Sequence, residues 1–181
     1  MKKATIRIIT SLLLTIVFVI SCKKIINSKE GSKVVNEKIL NDKLEATLLV
    51  KAAQNNLNTI ALCNAVEKIE EDQEIKSVAI AIKEEQQKIF DGIQNLASEN
   101  MISVASKPTY QADVLKYFKN ENIVTVDILD NIKDKLETQI EVLDTLRLKT
   151  DDNAIELAVE EYLEVLKENK AITQNTLESL E

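Results

Sequence analysis

The sequence predicts an all-α protein, a bundle of four long helices behind an export segment, and three observations carry that reading. The chain has 181 residues with only 2 glycines and 1 proline, so tight turns are few. Aromatic residues make up 3% of it, while Ala, Leu, Ile, Lys and Glu dominate, a makeup of long helices rather than sheets. Apolar residues recur at helical spacing along four separate stretches, each opposed by a charged side. No such helix is stable alone, so the four must pack together.

The first element is the export segment, residues 1–21. Lys2, Lys3 and Arg7 form a positive start, and Ile8 to Ile20 follows without a charge. That core has the length of a signal peptide and is short for a membrane span. It stops at Val19-Ile20-Ser21-Cys22, which resembles the lipobox of bacterial lipoproteins. The resemblance implies cleavage between Ser21 and Cys22 and acyl chains on the Cys22 sulfur and its new amino group. A thiol is needed there because the thiolate is the nucleophile that is alkylated. The competing reading is an uncleaved N-terminal anchor with an incidental cysteine. Several acyl chains on one residue make a stable anchor, so the membrane is an expected partner through Cys22. Lys23-Lys24 follows the cysteine, without the aspartate or acidic run that resembles known sorting signals. The expectation is therefore an outer-membrane anchor facing the periplasm.

Residues 22–33 hold the lipidated cysteine and a polar stretch with Gly31, read as a flexible tether. The bundle domain takes 34–181. Its first helix carries Leu44, Leu48, Ala52, Leu57, Ile60, Cys63, Val66 and Ile69 along one side. After the acidic turn Glu70-Glu71-Asp72, a capping signal, the second helix shows the cleanest stripe: Ile75, Val78, Ala79, Ile82, Ile89, Phe90, Ile93, Leu96 and Ala97. Lys83 falls on its charged side. Residues 100–122 break the pattern and contain Pro108; within them Tyr110 to Phe118 reads as a short helix, with Leu115 and Phe118 over one end of the core. The third long helix runs from Val126 with Leu129, Ile132, Leu136, Ile140, Leu143 and Leu146 on one face. Asp151-Asp152 caps the fourth, which carries Ile155, Ala158, Val159, Tyr162, Leu166, Thr173, Leu177 and Leu180. Short links inside each helix pair and a longer one between the pairs make an up-down four-helix bundle. A long dimeric coiled coil is the structural rival, and Pro108 and the acidic breaks count against it.

Charge and composition exclude several functions. The formal net charge is −7, and removing Lys2, Lys3 and Arg7 with the leader takes it from −7 to −10. Such a surface repels phosphate backbones, so no nucleic-acid partner is expected. The chain contains no histidine. It therefore lacks the commonest general base and the most versatile metal ligand, and a Ser-His-Asp or Cys-His site is impossible. No catalytic residue, metal ligand or cofactor is expected.

The mature domain resembles the exported ferritin-like bundles of domain-of-unknown-function family 4142, over roughly Leu44 to Leu180. The residues that carry the likeness are Leu49-x-x-Ala52-Ala53-x-x-Asn56-x-x-x-Ile60, Glu74-Ile75-Lys76-x-Val78-Ala79-x-x-Ile82, Val126-Asp127 and Leu163-x-x-Leu166-Lys167-Glu168. The departures are informative. Where the family has Asp-His in its second and third helices, this chain has Glu85-Gln86 and Glu137-Thr138, and the histidine of the fourth falls at Asn169. If family members bind metal in the bundle, the imidazoles are the obvious ligands, and this chain has none of them.

Three features invite a chemical reading beside a plain one. Glu85 and Glu137 are either a carboxylate pair across the bundle, able to hold calcium or manganese, or residues on solvated sides of their helices. Cys63, left alone once Cys22 is acylated, is either the site of an intermolecular disulfide or a redox thiol, or else a small buried residue of the first stripe. Glu160, Glu161, Glu164 and Glu168 form either a docking face or a solvated one. The expected function is a non-catalytic, lipid-anchored envelope protein, structural, stress-related or binding, with its protein partner unknown. Its rivals are a surface-displayed lipoprotein that binds macromolecules and a ferritin-like protein holding metal with carboxylates alone.

Overall fold

The structure is a computed structural model that describes the backbone of residues 2–109 and 121–180, and the side chains of 36–109 and 125–180. Among the described residues there are four helices and no strand: α1 (Lys2–Ile69), α2 (Gln73–Glu99), α3 (Glu121–Lys149) and α4 (Asn153–Glu178). The chain divides into two compact units, Met1–Asp42 and Lys43–Glu181.

The first unit is the leading part of α1. The stretch 23–33, read above as a flexible tether, is helical backbone there. Its one glycine costs a helix only about 1 kcal/mol against alanine, and no proline interrupts it. The side chains of Val19, Ser21 and Cys22, and those of Ile8–Ile20, lie outside the described residues. Among the described residues no helix is long and apolar enough to cross a membrane. Tyr110, Leu115 and Phe118, assigned above to a short helix, also lie outside them.

The second unit is the all-α four-helix bundle that the sequence predicts. Its helices end where short polar side chains satisfy free backbone groups. Asp72 caps α2 by accepting from the Glu74 and Ile75 amides, and Asp152 caps α4 by accepting from those of Ala154 and Ile155. Glu70 closes the turn between α1 and α2, its carboxylate accepting from the Glu71 and Asp72 amides at 2.8 Å each. At the far end of α2, Ile102 N–H bonds Ala97 C=O at 2.7 Å and Met101 N–H bonds Ser98 C=O at 3.1 Å. This is a Schellman close, with Met101 at φ 56° in the left-handed position usually taken by glycine.

The contacts fix the direction of each helix. Lys83 of α2 pairs with Glu67 of α1, and Lys170 of α4 with Glu137 of α3, so each pair is an antiparallel hairpin. Glu70, at the end of α1, accepts from the Thr125 hydroxyl near the start of α3. Thr150, just past the end of α3, donates to Glu45 near the bundle's beginning of α1 at 2.6 Å. Hence α3 runs antiparallel to α1 and parallel to α2, so the four helices do not alternate in the up-down order expected from the sequence. A chain leaving α2 at one end must re-enter α3 at the other, which is why this connection is long. It climbs along α1: Asn58 accepts from the Thr109 amide at 2.9 Å, and Gln54 donates to the Lys107 carbonyl.

The core is mostly aliphatic. Leu49, Ala52, Ala53, Cys63 and Val66 from α1, Ile82 and Ile93 from α2, Ile128, Leu129, Ile132, Leu136, Leu143 and Leu146 from α3, and Ile155, Val159 and Leu166 from α4 are inaccessible or nearly so. Expected core positions Leu44 and Leu180 are instead exposed, at the ends of their stripes, where no described helix covers them. Ile60, Ile69, Val78, Ile140, Ala158 and Tyr162 are half-buried at the seams.

Candidate functional site

The aliphatic core is interrupted once, in its middle, by uncharged polar side chains. Asn56 of α1, Gln86 of α2, Gln139 of α3 and Asn169 of α4 are all buried, with Thr59 and Thr173 beside them on α1 and α4. Each replaces an apolar residue at core spacing. Gln86 sits between Ile82 and Ile89, Gln139 between Leu136 and Leu143, and Asn169 between Leu166 and Thr173. The helix that buries its neighbours therefore buries the carboxamide too.

The register of the helices brings these groups to one level. Asn56 and Gln86 touch: the Asn56 amide donates to the Gln86 side-chain oxygen at 2.7 Å and to its main-chain carbonyl at 3.2 Å. The Glu137–Lys170 pair at 2.8 Å places Gln139 and Asn169 within a turn of each other across α3 and α4. Gly92 of α2 lies against Tyr162 of α4, and a surface cleft joins Ile75 and Val78 to Ile172 and Thr176. Between these two fixed points Gln86 comes level with the turn that precedes Asn169. Every helix thus contributes one carboxamide to the same layer.

The hydrogen bonding of the layer is incomplete. Asn56 Oδ1, Gln86 Nε2, both Gln139 side-chain atoms and Asn169 Nδ2 are buried without a partner among the described residues. The two hydroxyls do not supply one, since Thr59 donates to Asn55 C=O and Thr173 to Asn169 C=O within their own helices. An unpaired buried polar atom costs about 1–3 kcal/mol. Five together match the net stability of a small domain, on the order of 5–15 kcal/mol.

The carboxylates considered in the sequence lie elsewhere. Glu85 is on the rim of α2 and pairs with Lys88 at 2.7 Å; Glu137 is exposed on α3. The hydrogen bond from Lys170 and its charge hold Glu137 below the usual carboxylate range. The two do not face each other across the core, and among the described residues no three Cys, Asp or Glu side chains converge as metal ligands do. Of Gln86, Thr138 and Asn169, singled out in the sequence, Gln86 and Asn169 are in the buried layer. Thr138 is not: it is exposed and donates to Asp134 C=O. Gln139, one residue on, is the position of α3 that turns into the bundle.

Cys63 is fully buried in the α1 stripe, and burial pushes its thiol up to about 12, against the smaller opposing pull of Lys83. A protonated, inaccessible thiol is no nucleophile. Glu160, Glu161, Glu164 and Glu168 are all exposed, a solvated face. Gln139 escaped the sequence reading altogether, and Asn56 entered it only as part of a family likeness, not as a buried polar group. The signal was present as a carboxamide at core spacing in every helix, but it stands out only when the four helices are aligned in space.

No family model, no curated protein and no solved structure matches the chain.

Proposed function

We propose that this chain is a lipid-anchored protein of the bacterial cell envelope whose helical bundle serves a structural or binding role and carries out no catalysis. The observation that carries the reading is Val19-Ile20-Ser21-Cys22, behind Lys2, Lys3, Arg7 and an uncharged apolar core. Charge, core and a small residue before cysteine are the three parts that export and lipid attachment require, in the required order. Acyl chains on Cys22 hold the protein on the outer membrane, and the acidic bundle extends into the periplasm. Support for the absence of catalysis comes from the interior polar groups, which among the described residues are carboxamides and hydroxyls. These neither take up nor release protons at neutral pH, so they offer no general acid or base.

Mass spectrometry of the N-terminal peptide from envelope fractions tests the anchor. The expected peptide begins at an acylated Cys22, and Cys22→Ala leaves either the precursor or an unanchored protein. A mature protein that still begins at Met1, or an unmodified Cys22, refutes it. Protease added to intact cells then tests the orientation, since a domain facing the periplasm survives and a surface-displayed one is digested.

A further inference from the structure

We infer that the carboxamide layer in the middle of the bundle is a binding site for internal water, a small neutral ligand that both donates and accepts hydrogen bonds. The five buried atoms without a partner are of both kinds. Gln86 Nε2, Gln139 Nε2 and Asn169 Nδ2 are donors, and Asn56 Oδ1 and Gln139 Oε1 are acceptors. They come from all four helices at one level, so their unmet hydrogen bonds converge rather than scatter.

The orientation of the first pair is fixed by chemistry. Asn56 Nδ2 donates to two oxygens of Gln86, one of them main-chain. Turning the Asn56 amide over would set its oxygen against that carbonyl, so Nδ2 stays on Gln86 and Oδ1 points elsewhere. Gln86 Oε1 is then held by Asn56, which leaves Gln86 Nε2 to donate to a third party. Gln139 has both ends free and Asn169 presents a donor.

Charge selects the guest. An anion would take the three donors but would meet two carbonyl oxygens, with no cationic side chain among the buried residues described and a net negative protein around it. A cation would take the two oxygens but would meet three N–H2 groups. Water fits the mixture, since one molecule donates twice and accepts twice, and buried waters bridge about three otherwise unpaired polar groups. The bundle thus keeps a polar, hydrated centre inside an aliphatic shell.

Nuclear magnetic resonance on the full chain in detergent micelles, labelled with 15N at Asn and Gln, reads this directly. The expected result is cross-relaxation between water and the side-chain N–H2 groups of Gln86, Gln139 and Asn169, with the sign of a water resident longer than a nanosecond. Gln139→Leu removes one donor and one acceptor and is expected to abolish the water signals at Gln86 and Asn169. Gln139→Met, an apolar side chain of nearly the same shape, serves where the leucine variant does not fold. Cross-peaks among the amides alone, with none to water in the wild-type chain, overturn the proposal in favour of a closed network of protein groups. A change of these resonances on replacing potassium by tetramethylammonium, or chloride by gluconate, at constant ionic strength overturns it in favour of an ion.

Discussion

Gly92 of α2 is the point at which Tyr162 of α4 crosses the neighbouring helix: a Cβ built on Gly92 would lie 2.8 Å from the Tyr162 ring carbon that bears the hydroxyl, and closer still to the hydroxyl oxygen. The glycine is there for close approach, since its backbone is ordinary helix. Replacing it with alanine gains about 1 kcal/mol of helix propensity but forces the half-buried Tyr162 ring out of its place against α2. Overpacking of this kind costs about 1–3 kcal/mol. Gly92→Ala is therefore expected to lower the midpoint of urea unfolding, and Gly92→Ala combined with Tyr162→Leu to recover it. A double variant no more stable than Gly92→Ala would mean that the ring is not what fills the space.

The stripes make a second prediction. Ile82 and Leu136 are fully buried in α2 and α3. Asp at either site buries an unpaired carboxylate, at a cost of about 3 kcal/mol or more. Ala81, one residue from Ile82 and exposed, is the matched control, and Ala81→Asp is expected to change stability by less than about 0.5 kcal/mol. Circular dichroism during urea unfolding of the chain from Ser32 onward measures all three. Equal losses at Ala81 and Ile82 would show the stripe to be misplaced.

That control differs from the one the sequence suggests, and the difference shows what patterning reveals and what it hides. Periodicity located α2, its Asp72 cap and every apolar residue of its buried face, because one helix determines its own stripe. It marked Lys83 as a solvent-side residue, whereas Lys83 is mostly covered and paired with Glu67 of α1. Which charged residues lie at a seam depends on a second helix. The same limit applied to Gln139: nothing in the α3 stripe alone marks it, while packing against three other helices buries it. Apolar spacing also leaves the direction of α3 undetermined, since a stripe reads alike both ways. Thr125, Thr150 and the climb of residues 107–109 along α1 decide it.

Cys63 makes a prediction about pH. Burial raises its thiol from 9.0 to about 12, so the folded state retains a proton that the unfolded state gives up. The contribution is fully present below pH 9 and is lost as pH rises towards 12. One pH unit into that window the difference is about 1.4 kcal/mol. Between pH 8 and 10 the wild-type chain is expected to lose more stability than Cys63→Ala, whose absolute stability differs but whose pH slope lacks this term. A thiol reagent at neutral pH is expected to label Cys63 only in urea. Rapid labelling of the folded protein, or parallel pH slopes, would contradict the buried thiol.

Metal binding is where the resemblance to a ferritin-like family and the residues of this chain diverge. The buried layer offers carboxamides at Gln86, Gln139 and Asn169, and neutral amide oxygens are poor ligands for iron, copper or zinc. The carboxylates that would have to replace imidazole are committed elsewhere, Glu85 to Lys88 and Glu137 to Lys170. Moving both into the aliphatic core would break two ion pairs and desolvate two charges. Even so, a tightly bound cation would offset that and show itself: ligand at a hundred times its dissociation constant stabilises a protein by about 2.7 kcal/mol. The chain from Ser32 onward is therefore expected to purify without stoichiometric transition metal. Excess iron or zinc is expected to leave its melting temperature within about a degree, where 2.7 kcal/mol would move it by several. Elemental analysis and thermal melts with and without metal decide the matter. One metal per chain, lost in Glu85→Ala or Glu137→Ala, would require both glutamates to turn inward and would restore a metal-binding function to the bundle.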